Sequence, residues 1–566
     1  MPRESMVEGM TRPRHTPETT RLALALLAVA AVLALACTAR ARGLLLNSVE
    51  LAAGAAAIAL PAGIVWGLAL GKAVFPGRRL LAAVTVAALF VPLQVYAAAW
   101  QTLLGFDGWT TGGGPGDPWL DGLAGAIWVH GWAAAPWVAV LITWSLEAVE
   151  RRLEEESLLD ATAARVLVRV SLRRAAGGVL AAAVTVFALC AAEIGVTDLF
   201  RVRTFAEEVY TQAALGSLSG GAMPADDAAA LREARDLTAG TLAHWLLGGA
   251  VLLLAAPLVP RPAEADSEAG WRLTPRSSPK LNAALAAAAA LLTAVAVVAP
   301  ALGLAWKAGL STARTAQGAT AAWSLAKCLR MTGRAPLEHG RELLWSLGVA
   351  ALAAAAVMIV SVVVASWGRR SRGARLTAGA VAAAALAVPG PLVGVGVILL
   401  LAHGVDSPWH WLTPMYDRTV AAPALVQAIR ALPLAGLVVW TQLASVPQGL
   451  LDAAASEGAG PWSRWVRIAL PLRAPGLAAA CAVALVLAVG EVSATLLVYP
   501  PGVTPLSVRI SQLLHYGVDD RVAALSLALL LGTVALGTAA SFALAIWQDR
   551  RLKKNHDRHA DRAPLG

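Results

Sequence analysis

Apolar residues run along this chain in blocks of about 20, separated by short polar stretches, and not in the narrow stripes of an amphipathic helix. Twelve blocks stand out: 22–38, 51–70, 80–100, 124–146, 178–197, 241–258, 281–305, 344–367, 377–402, 420–445, 476–498 and 522–547. Each is close to the roughly 20 residues that cross about 30 Å of hydrocarbon at 1.5 Å per residue. Lipid offers no partner to a backbone N–H or C=O, so every block predicts a helix. The first block follows an Arg-containing lead and precedes Ala39-Arg40-Ala41, a faint likeness of a signal-peptide cleavage site. The 21-residue polar lead and the repeat described below point instead to a retained helix.

Composition agrees with the pattern. Of 566 residues, 58% are hydrophobic and 14% charged, where a soluble chain carries about 25% charged residues. This excludes a disordered chain, a disulfide scaffold and an ordinary soluble enzyme. Cys37, Cys190, Cys328 and Cys481 are scattered without metal-ligand spacing and read as small apolar packing residues. The net charge of +10 would suit nucleic acid or the anionic inner leaflet. With the N-terminus inside, the alternate inside segments hold 30 Lys and Arg and the outside loops 15, while Arg430 lies within a block. Both termini are therefore expected in the cytoplasm, the tail anchored by Arg550-Arg551-Leu552-Lys553-Lys554, and no nucleic-acid partner is expected.

The chain also repeats itself. Ser48 and Ser346 open the second and eighth blocks in LLNSVELAA and LLWSLGVAA, 298 positions apart. Pro136 and Pro433 lie 297 apart, Asp160 and Glu457 297 apart, and Glu193 and Glu491 298 apart. The expected organisation is a first repeat over 1–260, a cytoplasmic linker over 261–280 and a second repeat over 281–566, each repeat with six helices. Six is even, so the repeats are parallel, which implies a pseudo-twofold axis along the membrane normal and a pathway between them.

The inside loop after the tenth block reads DAAASEGAGPWSRWVRIALP. Good helix formers from Asp452 to Glu457 predict a short helix, and Gly458 permits the left-handed turn that ends it. Pro461 and Pro471 keep that helix from merging with the next span, and Trp462 and Trp465 suit the membrane surface. Asp452-Ala453-Ala454, then Gly458, then Ile468, Leu470 and Pro471 have the spacing of the EAA loop of permease subunits in binding-protein-dependent ABC importers, with Asp in place of the usual Glu. The first repeat carries a degraded copy: Glu155-Glu156-Ser157 stand for the acid and two alanines, Asp160 precedes Ala161 in the glycine position, and the later proline is lost.

The resemblance covers most of the chain. GEVSATLLVYPPGVTPLSVRISQLLHYG from Gly490 and EIGVTDLFRVRTFAEEVYTQ from Glu193 are similar to fused iron(III)-type permeases, with thiamine permeases as near relatives. It implies an all-α integral membrane protein of the type I ABC importer permease fold, with about twelve transmembrane helices in the bacterial inner membrane. It further implies a separate ABC ATPase dimer on the cytoplasmic side and an extracytoplasmic solute-binding protein. No cofactor is implied, and the chain is expected to transport without being an enzyme.

Glu193 and Glu491 are the most informative polar residues, since an ionisable group within a span usually faces a bundle interior or water. Related by the pseudo-twofold, they could flank a translocation path that favours cations, iron(III) first, with thiamine or a polyamine as alternatives. Two solvated helix-end glutamates, or partners for Arg430, are the plainer readings. An ion-coupled secondary transporter is the alternative of another class; two EAA-like loops and a sparse intramembrane charge set argue against it. Leu218-Ser219-Gly220-Gly221 and Gly112-Gly113-Gly114-Pro115-Gly116 lack a following nucleotide-binding context and read as loops.

Overall fold

The computed structural model describes residues 25–560 apart from 26, 34, 36, 106–107, 112–117, 192, 215–238, 241, 244–270, 274–277, 316–317 and 370. Most of the expected span 241–258, the stretches 112–116 and 218–221, much of the linker 261–280, and residues 22–24, 26, 34 and 36 of the expected span 22–38 lie outside the described residues. The first series of helices comprises α1 (Ala39–Lys72), α2 (Arg78–Ala88), α3 (Leu93–Leu104), α4 (Gly122–Glu147), α5 (Arg151–Asp160), α6 (Ala163–Arg174), α7 (Ala176–Ala191) and α8 (Phe205–Ala214). After α9 (Pro279–Gly309), a hairpin of β1 (Leu310–Thr315) and β2 (Gly318–Trp323), and α10 (Leu325–Glu338), a second series follows. It contains α11 (Gly340–Gly368), α12 (Arg372–Ala387), α13 (Gly390–Leu401), α14 (Ala421–Ala444), α15 (Gln448–Ser456), α16 (Pro461–Leu472), α17 (Ala474–Gly490) and α18 (Leu506–Leu514). The long α19 (Asp520–Ala560) closes the chain.

Twelve uninterrupted spans do not appear among the described residues. Among the described residues six helices are long and apolar enough to cross a membrane, and three more candidates are bent pairs. The pairs are α2–α3 at 105°, α6–α7 at 65° and α16–α17 at 80°. The expected span 80–100 breaks before Pro92, whose φ of −58° and ψ of 141° start α3 afresh. Pro389 does the same between α12 and α13, at φ −55° and ψ 140°. Proline disfavours helix in the residue before it and cannot donate a hydrogen bond back, which favours a stop at these two positions, although Pro61, Pro136 and Pro433 are carried inside α1, α4 and α14. The hairpin β1–β2 is a small departure from an all-helical chain.

The two series share irregularities as well as helices. A π-turn at Leu167–Ser171 in α6 recurs at Trp465–Ala469 in α16, and each is followed by the bend into the next helix. Ser48 Oγ accepts the Phe205 N–H at 3.0 Å, and Ser346 Oγ accepts that of Leu506 at 2.7 Å. Each series has a three-helix centre, α1 with α4 and α7, and α11 with α14 and α17. The series also interlock: α9 packs on α1 and α3, α19 on α2 and α3, and α8 on α13.

Small residues face inward and large ones outward. On α11, Ala350, Ala353, Ala354 and Ala365 are buried, whereas Leu352, Ile359 and Val363 are exposed. Lipid tails are as apolar as leucine, so helices gain by close van der Waals packing, which small residues allow. The sequence GIVWGLALG places Gly63, Gly67 and Gly71 on one face of α1 against α4. A Cβ at Gly63 would stand 2.4 Å from Val138 and 2.8 Å from the Ala135 carbonyl oxygen. Gly63→Val should therefore lower stability by about 1–3 kcal/mol through overpacking. Gly348→Ala in α11, where nothing lies within 4 Å, should not. Thermal unfolding of the detergent-purified variants tests this; equal midpoints would mean that α1 and α4 are not in this contact.

Candidate functional site

Two regions concentrate the sequence-predicted residues: one face of the bundle, here the basal face, which carries α5 and α15, and a pair of loops deep between the series. On α15 the helix starts at Gln448, four residues before Asp452. Gln448 donates its side-chain N–H to Asp452 Oδ1 at 2.9 Å. Asp452, Ala453, Glu457 and Gly458 are exposed, Ala454 less so. Gly458 has φ +83°, and Ala459 donates back to the Ala454 carbonyl at 2.9 Å, a backbone closure that ends the helix. Ile468 packs with buried Val446, Leu451 and Ala469 beneath the helix, Leu470 packs beside Leu443 and Ala480, and Pro471 is exposed.

The first-series copy is built differently. Glu155 pairs with Arg151 at 2.7 Å on the exposed side of α5, and Glu156 and Asp160 are exposed too. Ser157 donates to the Leu153 carbonyl. Ala161 ends α5 in an extended conformation, φ −141° and ψ 154°, where no glycine is required. The group that sequence reasoning missed is Glu154. It is fully buried, its carboxylate held by Lys72 Nζ at 2.6 and 2.7 Å and by the Ser171 hydroxyl at 2.6 Å. Within the acidic run EEES nothing local marks Glu154 as buried. A signal was nonetheless present, because the repeat places Glu154 on Leu451, an apolar position.

The deep loops follow α7 and α17, so Glu193 and Glu491 lie just past helix ends and not within helices. Each caps the turn after it. Glu193 accepts the N–H groups of Gly195 at 2.6 Å and Val196 at 3.0 Å; Glu491 accepts that of Ala494 at 2.7 Å. The two loops touch: the Ile194 N–H donates to Ser493 Oγ at 3.1 Å, across the two series. His130 of α4 brings Nε2 to 3.7 Å from Glu193 Oε2. Arg430 of α14 donates to the Val388 carbonyl at 2.8 Å, and its charge interacts with Glu491 and Glu193 at longer range. Among the described residues no three His, Cys, Asp or Glu side chains form a metal-holding group.

On the face opposite the basal one, a second contact crosses between the series. His515, after α18, places Nε2 2.8 Å from Asp198 Oδ2, with Nδ1 2.8 Å from the Ser511 carbonyl. The Ser511 carbonyl and then the Asp198 charge favour the imidazolium, so its pKa rises above the ordinary value.

Residues 361–554 match the family described as "Binding-protein-dependent transport system inner membrane component". That segment runs from within α11 into α19 and includes α15 and Glu491. Curated relatives named "Putative 2-aminoethylphosphonate transport system permease protein PhnV" come from Salmonella typhimurium (strain LT2), 32% identical over 150 residues, and Salmonella typhi, 31% identical over 150. The alignments cover 26% of this chain and 54% of each relative, so the chain spans about half the length of the curated relatives it matches. The described chain is mostly helical, and over the matched segment the likeness is to inner-membrane transport permeases.

The His515–Asp198 pair makes a pH prediction. A raised imidazole pKa means that the charged bridge is complete below about pH 6.5, the unperturbed value. It is lost as pH rises through the raised folded-state value. Asp198→Asn should move the His515 titration to lower pH, as read by NMR of histidine-labelled protein. An unmoved titration would show that the two side chains do not meet.

Proposed function

We propose that the chain is a membrane permease of a binding-protein-dependent ABC importer, with two permease halves fused: repeats over 1–260 and 281–566 joined by 261–280. The observation that carries this reading is the recurrence of a short basal-face helix, α5 and α15, each leading through a π-turned elbow into a helix that ends at a capped glutamate. The basic-residue asymmetry puts the basal face in the cytoplasm, where α5 and α15 receive a separate ATPase dimer. A solute-binding protein docks on the opposite face.

The geometry supplies a transmission path. Movement of α15 is passed by the closed turn at Gly458 to α16, and across its bend to α17 and the Glu491 loop. The α5–α6–α7 series leads likewise to Glu193. The loops meet at Ser493 and Ile194, so relative motion of the elbows opens or closes the route between them. ATP-bound and ATP-free docking bias the outward- and inward-facing states by binding one better than the other.

For the solute, the two carboxylates support a cation, and iron(III) is the cation that the resemblance implies. A second reading is favoured by Arg430 near Glu491 and by the relatives' name: a zwitterion such as 2-aminoethylphosphonate would use both signs of charge. With ATPase and binding protein in proteoliposomes, the Glu193→Gln/Glu491→Gln variant should lose uptake of either solute. Arg430→Gln should spare ferric uptake and depress aminophosphonate uptake. Ferric uptake lost with Arg430 would reject the first reading; aminophosphonate uptake indifferent to Arg430 would reject the second.

Coupling is tested at the turns. The site around Gly458 is open, so only its backbone resists a side chain, by about 1–2 kcal/mol for a left-handed L-residue. Gly458→Val should depress uptake and stimulated ATP hydrolysis together while expression persists. Ala161→Val, in extended backbone, should be mild. Normal uptake by the Gly458→Val protein would remove the role given to α15.

A further inference from the structure

Lys72 and Glu154 form a node that joins four segments of chain. Lys72 is the last residue of α1 and is 1% exposed; Glu154 in α5 is 0% exposed. The carboxylate receives both Lys72 contacts and the hydroxyl of Ser171, which lies in the π-turn of α6. The carbonyl of Lys72 accepts the N–H of Leu273 at 2.7 Å, and Leu273 is fully buried. Leu273 belongs to the stretch that connects the two repeats. Beside it, Asn282 of α9 both donates to the Val74 carbonyl at 2.7 Å and accepts the Val74 N–H at 2.8 Å.

The second repeat solves the same position without an ion pair. At the 298-position offset of Ser48 and Ser346, Lys72 falls on Arg370, which lies outside the described residues; Glu154 and Ser171 correspond to Leu451 and Ala469. Leu451 and Ala469 bury against Val446 and Ile468. Arg369 turns to the start of α15, donating to Gln448 Oε1 at 2.9 Å and to the carbonyls of Leu443 and Val446. The contact under α15 is thus apolar and non-directional, whereas the one under α5 is directional and fully desolvated. A buried pair adds little net stability over an apolar replacement, but it fixes geometry, and losing one partner strands a charge.

We infer that Lys72 and Glu154 are positioning residues that fasten α5 to α1, to the α6 elbow and to the inter-repeat connection, so that α5 moves as one body with α9 of the second repeat. This rests on the importer reading above. The first loop lacks the glycine and proline of its counterpart, and the ion pair supplies the rigidity that those residues give α15. Because α9 packs on α1 and α3, a displacement of α5 is delivered to both repeats at once.

The test measures distances in the assembled complex with its ATPase, reconstituted in lipid. Spin labels at Asp160→Cys and Lys280→Cys report the α5–α9 separation; labels at Asp160→Cys and Ser456→Cys report α5–α15. ATP should change the α5–α15 distance and leave α5–α9 unchanged. In Lys72→Met/Glu154→Leu, which reproduces the apolar solution of the second repeat, the α5–α9 distribution should broaden and solute moved per ATP should fall several-fold, with a thermal midpoint near that of the parent. An α5–α9 distance that shifts with ATP in the parent protein overturns the inference, even if the double variant fails to fold. So does a folded double variant with an unchanged distribution and an unchanged transport-to-hydrolysis ratio. Failure of the importer reading looks different: no ATPase binds, and neither distance responds to ATP.

Discussion

A chain that leaves the helical conformation inside a bilayer must still pair every backbone N–H within the protein. Much of this structure follows from how that is done after α7 and α17. Beyond each helix end, N–H groups of the following turn are taken by a glutamate, Glu193 or Glu491. The next re-entry is tied by a serine on another helix, Ser48 for Phe205 and Ser346 for Leu506. Ser493 takes one N–H from the other series. Non-helical backbone is thereby permitted at the centre, where the two repeats meet.

This role alters how the glutamates are understood. A carboxylate that accepts two backbone N–H groups, as Glu193 does, is spending its lone pairs on the fold, and its charge is partly balanced by those dipoles. Glu491 accepts the Ala494 N–H, and the Arg430 charge acts on it. The caps hold both carboxylates where the loops of the two series meet. The two halves are consequently unequal in electrostatics: His130 approaches Glu193, while Gln427 and Arg430 occupy the corresponding part of α14.

Inequality recurs on the basal face. One short helix is ended by a left-handed glycine over an apolar bed; the other ends in extended backbone over a buried ion pair. The interlocking of α9 and α19 with the first series keeps the copies from acting as independent domains.

The membrane class, most spans and the turn at Gly458 were legible in the sequence, because they rest on local quantities: hydropathy over about 20 residues and the conformational freedom of one residue. Even the breaks before Pro92 and Pro389 were written there, although apolar continuity outweighed the prolines and suggested unbroken spans. The tertiary structure alone decided what depends on partners distant in sequence. Glu154 reads as one more surface acid until Lys72, 82 positions earlier, is brought beneath it. Ser493 reads as a loop serine until Ile194 of the other repeat reaches it. Burial sets the consequence of a polar side chain, and burial is a property of the assembled neighbours, which no local window of sequence contains.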